Sequence, residues 1–419
     1  MVNHLRLVWN RVFKYSSSEA VSVSKFWSDD GTGGDCYWLL DAMSLLAGVR
    51  SDSTSNWVGE RKIRIFSNCL FVFGISMLAL EVLSDMYDRW DDNSVKVMAL
   101  LKLTSICLAC LKTAAIVLLR KPIETLRTFI LSERVNSSDH IFDELERSNV
   151  NQTGRTMMRA MLGLIVVEMI LLSIPNQTMD NVFRMAPLLL RMGEPSARVL
   201  HALFMCSLPL FLLPRLFSNI AYIGILILGM RMRLKMLTHR YHEMLRIPDS
   251  DVDYYLEIVN KKLRKTLCQH MEFMRQFSVL THLVRTTFMI THYYSIFSIG
   301  AIIFMWQNMG FNGFSTVFLL TFVSLLLEYY VWCYLVDSFK KWYANSIGVA
   351  IYEMCVHMPH SHDHHSRYIQ LRTSLIIIWI NNSNGYSVNC FGLLKPSILA
   401  FVDLVNITYS MLMFLINMG

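Results

Sequence analysis

Seven stretches of this 419-residue chain are each long and apolar enough to cross a bilayer. Crossing takes about 20 consecutive, mostly apolar residues, because without water the backbone must satisfy its own N–H and C=O groups. The stretches are roughly 63–83, 95–119, 157–174, 199–230, 277–306, 316–336 and 396–418. The fourth and fifth exceed one bilayer thickness, so they are expected to tilt or to continue beyond the membrane as helix. The run 373–380 is apolar but too short to span, and reads as a buried or interfacial helix ahead of the last crossing. The expected class is an all-α membrane protein with seven transmembrane helices.

Composition excludes the main soluble alternatives. Charged residues make up 17% of the chain, hydrophobic residues 53%, and mean hydropathy is +0.37, whereas a soluble domain carries nearer ~25% charge. The net charge of +7 is scattered between apolar runs rather than gathered on one patch, which argues against a nucleic-acid partner. Of the nine cysteines, Cys107 and Cys110 have a redox or zinc spacing, but they sit inside an apolar run with no second pair nearby. Plain packing as small hydrophobes is the expectation. No cofactor and no metal site is expected, and no nucleophile–base set or phosphate loop stands out. No secretory signal is visible; Leu5, Val8 and Val12 with Arg6, Arg11 and Lys14 suggest a short basic amphipathic helix on a membrane surface.

The Lys and Arg distribution sets the expected orientation. Residues 1–62 with Arg64 hold eight, 120–155 six, 231–275 ten and 340–372 four, whereas 84–94 holds one, 175–198 three and 307–315 none. The positive-inside rule then puts the N-terminus in the cytoplasm and, after seven crossings, the C-terminus outside. Residues 1–62 form the cytoplasmic N-terminal segment and 63–336 the first six spans with their cytoplasmic helical extensions at about 230–276. Residues 337–395 form a cytoplasmic anchor segment, and 396–419 the final helix. On this topology the sequon at Asn176 is external, and those at Asn136 and Asn151 lie in an internal loop.

Leu256, Val259, Leu263 and Leu267 repeat at helical spacing within a charged stretch, so the fourth and fifth spans are expected to extend inward. Residues 339–354 read similarly, and with 373–380 these helices suit a cytoplasmic bundle, either for subunit assembly or packing only within the chain. His357, His360, His362, His364 and His365 crowd one loop with Asp363 and Pro359; a solvated loop is expected there rather than a metal site.

Ionisable residues inside spans are costly and signal pairing or function. They are Lys102, Lys112, Glu168, His201, Arg215, Arg285, His292, Glu328 and Asp403. Lys102 and Glu168 are the expected pair, and Pro214 beside Arg215 predicts a bend in the fourth run. In the last span Asp403, Asn406, Ser410 and Asn417 share one face, while Val405, Tyr409, Leu412 and Ile416 form an apolar stripe. One wet and one greasy stripe suit a pore lining, and equally suit hydrogen bonding to neighbouring helices. One set of halves of spans two to six, outer on this topology, is rich in Met, Phe, Tyr, Ser and Thr. Met98, Leu101, Thr104, Met169, Leu172, Ser173, Leu203, Phe204, Ser207, Tyr294, Phe297, Phe318 and Thr321 are the candidate pocket residues. Apolar walls with a few hydroxyls describe a small-molecule pocket, and also ordinary helix packing.

The C-terminal third is the most specific part. It contains Tyr334-Leu335-Val336-Asp337-Ser338, Asn345-Ser346-Ile347, Ala350-Ile351-Tyr352, Lys395-Pro396 and, in the last span, Thr408-Tyr409-Ser410. With the seven-span architecture, these segments resemble the insect odorant receptor family, mosquito members included; the N-terminal two thirds resemble it only in pattern. The resemblance implies one subunit of a heterotetrameric, odorant-gated, nonselective cation channel in the plasma membrane of an olfactory neuron dendrite. The chain resembles the tuning kind, which assembles with the co-receptor Orco, because it lacks the cytoplasmic insertion before the fifth span. The implied partners are thus Orco, a small volatile odorant, membrane lipid and permeant cations.

The resemblance also implies a central pore lined by the last helix and closed by apolar residues one and two turns past the Tyr, here Leu412 and Ile416, with Asn417 at the pore mouth. An apolar ring blocks ions by dewetting. Pattern alone would have turned the polar stripe inward instead. Two other readings remain: a metabotropic seven-transmembrane chemoreceptor, which requires an external N-terminus, and a secondary transporter, which normally shows internal repeats and broken helices.

Overall fold

The computed structural model describes residues 36–49, 59–88, 92–174, 182–183, 193–245, 252–309, 315–339, 345–359, 362, 365–385, 388–390, 392 and 394–418. Eleven helices occur among them: α1 (Cys36–Leu46), α2 (Glu60–Asp88), α3 (Asn93–Leu118), α4 (Arg120–Leu131), α5 (His140–Ser173), α6 (Glu194–Leu245), α7 (Val252–Met309), α8 (Ser315–Ser338), α9 (Asn345–His357), α10 (His365–Gly385) and α11 (Ile398–Met418). Among the described residues no strand forms; one isolated bridge pairs Cys390 with Leu394. Seven helices have the length and hydropathy to cross a membrane: α2, α3, α5, α6, α7, α8 and α11. They coincide with the seven apolar runs.

Helix α6 is the axle of the bundle. In its most apolar stretch 89% of residues are buried, against 22% in α5 and in α11. It runs unbroken through Pro209 and Pro214. Each proline lacks an N–H, so the carbonyls of Met205 and Leu210 lose their usual helical donor. Helices α2, α3, α5, α7 and α8 all pack against it.

Where the charged segments were expected to be loops, two are helical. Residues 120–131 form α4, and Asn151 lies within α5, which starts at His140. Asp139 caps α5 by accepting from the N–H groups of Ile141 at 3.0 Å and Phe142 at 3.3 Å. The turn between α4 and α5 is held by two arginines of α6. Arg233, 1% exposed, donates to the carbonyls of Ile130, Ser132 and Val135, placing its charge on the C-terminus of α4. Arg240 reaches Asn136, Thr266 and Gln269 at 2.9–3.3 Å.

At the other side of α4, Arg127 forms a two-pronged ion pair with Asp41 of α1 at 2.9 and 3.0 Å and covers the Tyr37 ring. Burial acts to lower the Arg127 pKa, but the hydrogen bonds and charge of Asp41 outweigh it and leave the guanidinium above its ordinary value. Helix α1 ends at Gly48, whose φ of +74° suits a residue without a Cβ. A side chain there would collide with Asn68 of α2 and Arg215 of α6.

Helices α6 and α7 continue well beyond their apolar runs, and α9 and α10 pack against each other. Gly348 of α9 faces the Trp379 indole across a gap that a Cβ would narrow to 3.0 Å. Helix α10 spans 21 residues, far more than the short apolar core 373–380. The amphipathic segment around Leu5–Val12, the sequon at Asn176, and His360, Asp363 and His364 lie outside the described residues. Among the described residues no group of three metal-ligating side chains converges. Cys107 and Cys110 are exposed on α3 rather than packed in the core.

Candidate functional site

A cavity of about 140 Å³ opens within the bundle. Its walls come from α2 (Leu78), α3 (Met98, Leu101, Lys102, Ser105), α5 (Glu168, Leu172), α6 (residues 208–216), α7 (Tyr294, Ile302) and α8 (Val317, Phe318, Thr321), with Phe183 closing one side. Dry apolar cavities of ~150 Å³ admit a benzene ring, so this one suits a molecule of about one-ring size. Most of the wall is hydrocarbon. The polar groups that line it are the Ser105 and Tyr294 hydroxyls, joined at 3.1 Å, with Thr321, Lys102 and Glu168.

Of the candidate pocket residues, Met98, Leu101, Leu172, Tyr294, Phe318 and Thr321 line this cavity. Thr104, Met169, Ser173, Leu203, Phe204, Ser207 and Phe297 do not. Three of these hydroxyls are spent on their own helices: Thr104 donates to Leu100 O at 2.8 Å, Ser173 to Met169 O at 2.6 Å and Ser207 to Phe204 O at 2.9 Å. Leu203 faces outward at 60% exposed. Phe204 is fully buried, but among the rings of His201 and Phe211 rather than at the cavity.

The expected Lys102–Glu168 pair does not form. Lys102 Nζ instead lies 3.3 Å from Glu81 and 3.6 Å from Asp85, both on α2, and donates to the Val182 carbonyl at 2.8 Å. Two carboxylates one turn apart on the neighbouring helix outbid a single one across the cavity. The second intramembrane lysine finds its partner farther along the chain. Lys112 Nζ is 2.6 Å from Glu328 of α8 and donates to Leu216 O of α6 at 3.0 Å, tying three helices together. Arg215 stacks over Phe71 at 3.8 Å and donates to Asn68 Oδ1 at 2.7 Å. Periodicity could not reveal these pairings, because it does not fix which faces of two distant helices meet.

Helix α7 joins the cavity to α11. Tyr294 and Ile302 face the cavity, while Gly300 between them seats α7 against Met411 and the Leu412 backbone. A second tie runs from His292, hydrogen-bonded to Tyr329 of α8 at 2.7 Å, to Phe401 of α11, whose ring lies 6.5 Å from Tyr329 and 5.5 Å from Tyr330. On α11 itself, Ala400, Leu404, Thr408 and Leu415 are buried against the chain. Asp403, Asn406, Ser410 and Asn417 are exposed, as are Val405, Tyr409 and Ile416, and Leu412 is half-buried on the boundary. Both stripes seen in the sequence therefore lie on the uncovered side of this helix.

No family model and no curated protein matches the sequence. Solved structures do match the fold. One is an insect olfactory receptor, OR5 from Machilis hrabei, with a TM-score of 0.67 at 10% identity, covering 91% of this chain and 98% of that one. The same receptor in complex with eugenol matches with a TM-score of 0.64 at 9% identity and the same coverage. At such low identity the likeness resides in the helical architecture, and this all-α, seven-span chain has the fold of the insect olfactory receptor.

Proposed function

We propose that the chain is the odorant-binding subunit of a ligand-gated, nonselective cation channel in the plasma membrane. A small volatile molecule occupies the cavity between α3, α5, α6, α7 and α8, and α11 lines the pore. On this reading the N-terminus is cytoplasmic, the cavity lies in the outer half of the membrane, and the co-receptor Orco supplies the other subunits. The observation that carries the reading is the double role of α7. Within three turns it presents Tyr294 and Ile302 to the cavity and Gly300 to the backbone of Leu412. A ligand that moves α7 therefore moves the helix carrying the proposed gate, Leu412 and Ile416. The uncovered polar and apolar stripes of α11, with Asn417 near its end, support a helix completed by neighbouring subunits.

Affinity is expected to be modest. Apolar burial contributes ~25 cal/mol per Å², and at roughly −0.3 kcal/mol per heavy atom a ten-atom odorant gains only about 3 kcal/mol before the higher efficiency of small ligands. Gating requires tighter binding to the open than to the closed arrangement. A small aromatic ring matches both the cavity volume and the eugenol bound by the Machilis receptor.

The test is expression in a heterologous cell with and without Orco, recording current across a panel of volatiles that includes eugenol. Odorant-evoked cation current that requires both chains is expected. Absence of ligand-evoked current under every co-expression overturns the channel reading. A residue-1 tag accessible on intact cells would support the metabotropic one.

A further inference from the structure

We infer that Glu168 makes the cavity selective for small apolar molecules that carry an N–H or O–H donor, amines and phenols, over hydrocarbons of the same shape. This rests on the reading that the cavity is the ligand site. Glu168 is 4% exposed, its carboxyl lies in the cavity wall, and its Oε1 has no hydrogen-bond partner among the described residues. Its surroundings leave it in that state. Lys102, the cation in the same wall, is already held by Glu81, Asp85 and the Val182 carbonyl. Thr321 stands within hydrogen-bonding reach of the carboxyl, but its hydroxyl also bonds Val317 O at 2.9 Å, and Oε1 keeps no partner of its own among the described residues. The remaining walls near Glu168, such as Leu172 and Phe318, are apolar.

A buried polar group without a partner is unfavourable, and the penalty is relieved when a ligand supplies the missing bond. A carboxyl accepts hydrogen bonds whether protonated or ionised, so both phenols and amines answer it. When it is ionised, an ammonium answers it doubly, by charge and by hydrogen bond. Of the two charged side chains in the wall, Lys102 already has its charge met by Glu81 and Asp85 behind it, so the carboxyl of Glu168 is the group left to answer a ligand. Sites that satisfy a ligand donor reject the analogue lacking it, because their own polar group is then left bare. The one-ring volume limits the apolar body.

The experiment compares shape-matched pairs on the full-length chain purified in detergent, by ligand-induced shift in melting temperature, and on the chain co-expressed with Orco, by dose–response. The pairs are 4-ethylphenol against 4-ethyltoluene, and benzylamine against ethylbenzene. The donor member of each pair is expected to act at about tenfold lower concentration or less. Glu168→Leu should erase that preference, so that the donor and hydrocarbon members of each pair act at the same concentration within about twofold. Glu168→Gln, which keeps an acceptor oxygen and loses the charge, should retain the phenol preference and weaken the amine preference, which loses its charge component. Equal potency within both pairs in the unmodified chain overturns the inference, as does a Glu168→Leu shift that weakens donor and hydrocarbon alike. If neither member of any pair shifts melting or evokes current, the ligand-site reading itself has failed.

Discussion

Gly300 of α7 stands so close to α11 that a Cβ built on it would lie 3.1 Å from Met411 Cγ and 3.7 Å from the Leu412 backbone nitrogen. Contacts of 3.1 Å force the neighbour to give by a few tenths of an ångström, and here the neighbour is the helix bearing the proposed gate. Gly300→Ala is expected to displace α11, raise the basal current and shrink the odorant-evoked increase severalfold. Ligand-induced melting shifts should stay unchanged, since the residue does not line the cavity. Whole-cell recording with and without odorant, alongside the melting assay, checks the split.

The proposed gate is tested at Leu412. Truncation to Ala removes apolar bulk from a constriction that would hold back ions by staying dry. The expected result is leak current without odorant, abolished by omitting Orco. Unchanged basal and evoked currents would reassign the constriction to another face of α11, with the Asn406–Asn417 stripe the next to examine.

Lys112 and Glu328 form a buried ion pair with both side chains at most 3% exposed. Removing one member leaves the other charge uncompensated, at a cost of about 3–5 kcal/mol. Removing both leaves none. Lys112→Met alone should therefore abolish or sharply lower the folded yield, while Lys112→Met with Glu328→Leu recovers much of it. Size-exclusion profiles and melting temperatures of the three variants in detergent check this, and equal loss in single and double variants would exclude a pairwise role.

Arg233 is buried and satisfies three carbonyls at the end of α4 and the turn after it. Arg233→Met preserves much of the volume and strips those acceptors of their donor, at about 1–3 kcal/mol for each buried group left bare. The variant is expected to melt several degrees lower, with faster amide exchange in residues 130–139. The ratio of odorant potencies should be unaltered, because the turn lies far along α6 from the cavity residues 208–216.

The crossings were legible because they rest on length and hydropathy, which any order of packing preserves. Met98, Leu101 and Leu172 were found at the cavity because depth along the span was enough to place them there. Depth does not set rotation, however. Helices apolar all round give no sign of which side meets a neighbour, so Leu203 was expected inside and faces out, while Leu78, Ser105 and Ile302 line the wall unannounced. Hydroxyls misled for a separate reason: Thr104, Ser173 and Ser207 bond to carbonyls of their own helices. The lysines announced themselves as expensive, yet sequence could not choose between Glu81 and Glu168 as the answer to Lys102. Helices α4 and the first half of α5 were obscured by their charged, solvated faces. Their ends are set by groups remote in sequence, such as Arg233.

One consequence of the α11 surface concerns the life of an unassembled copy. Asp403 lies on the bare side of that helix, where a solitary chain would hold it against lipid tails. An ionised carboxylate facing lipid is costly, which makes lone copies poorer residents of a bilayer than assembled ones. If the proposed assembly holds, the amount of this protein that survives in a cell should then be rationed by the supply of its companions, rising with them and falling when they are withdrawn, whatever the rate at which its own message is read.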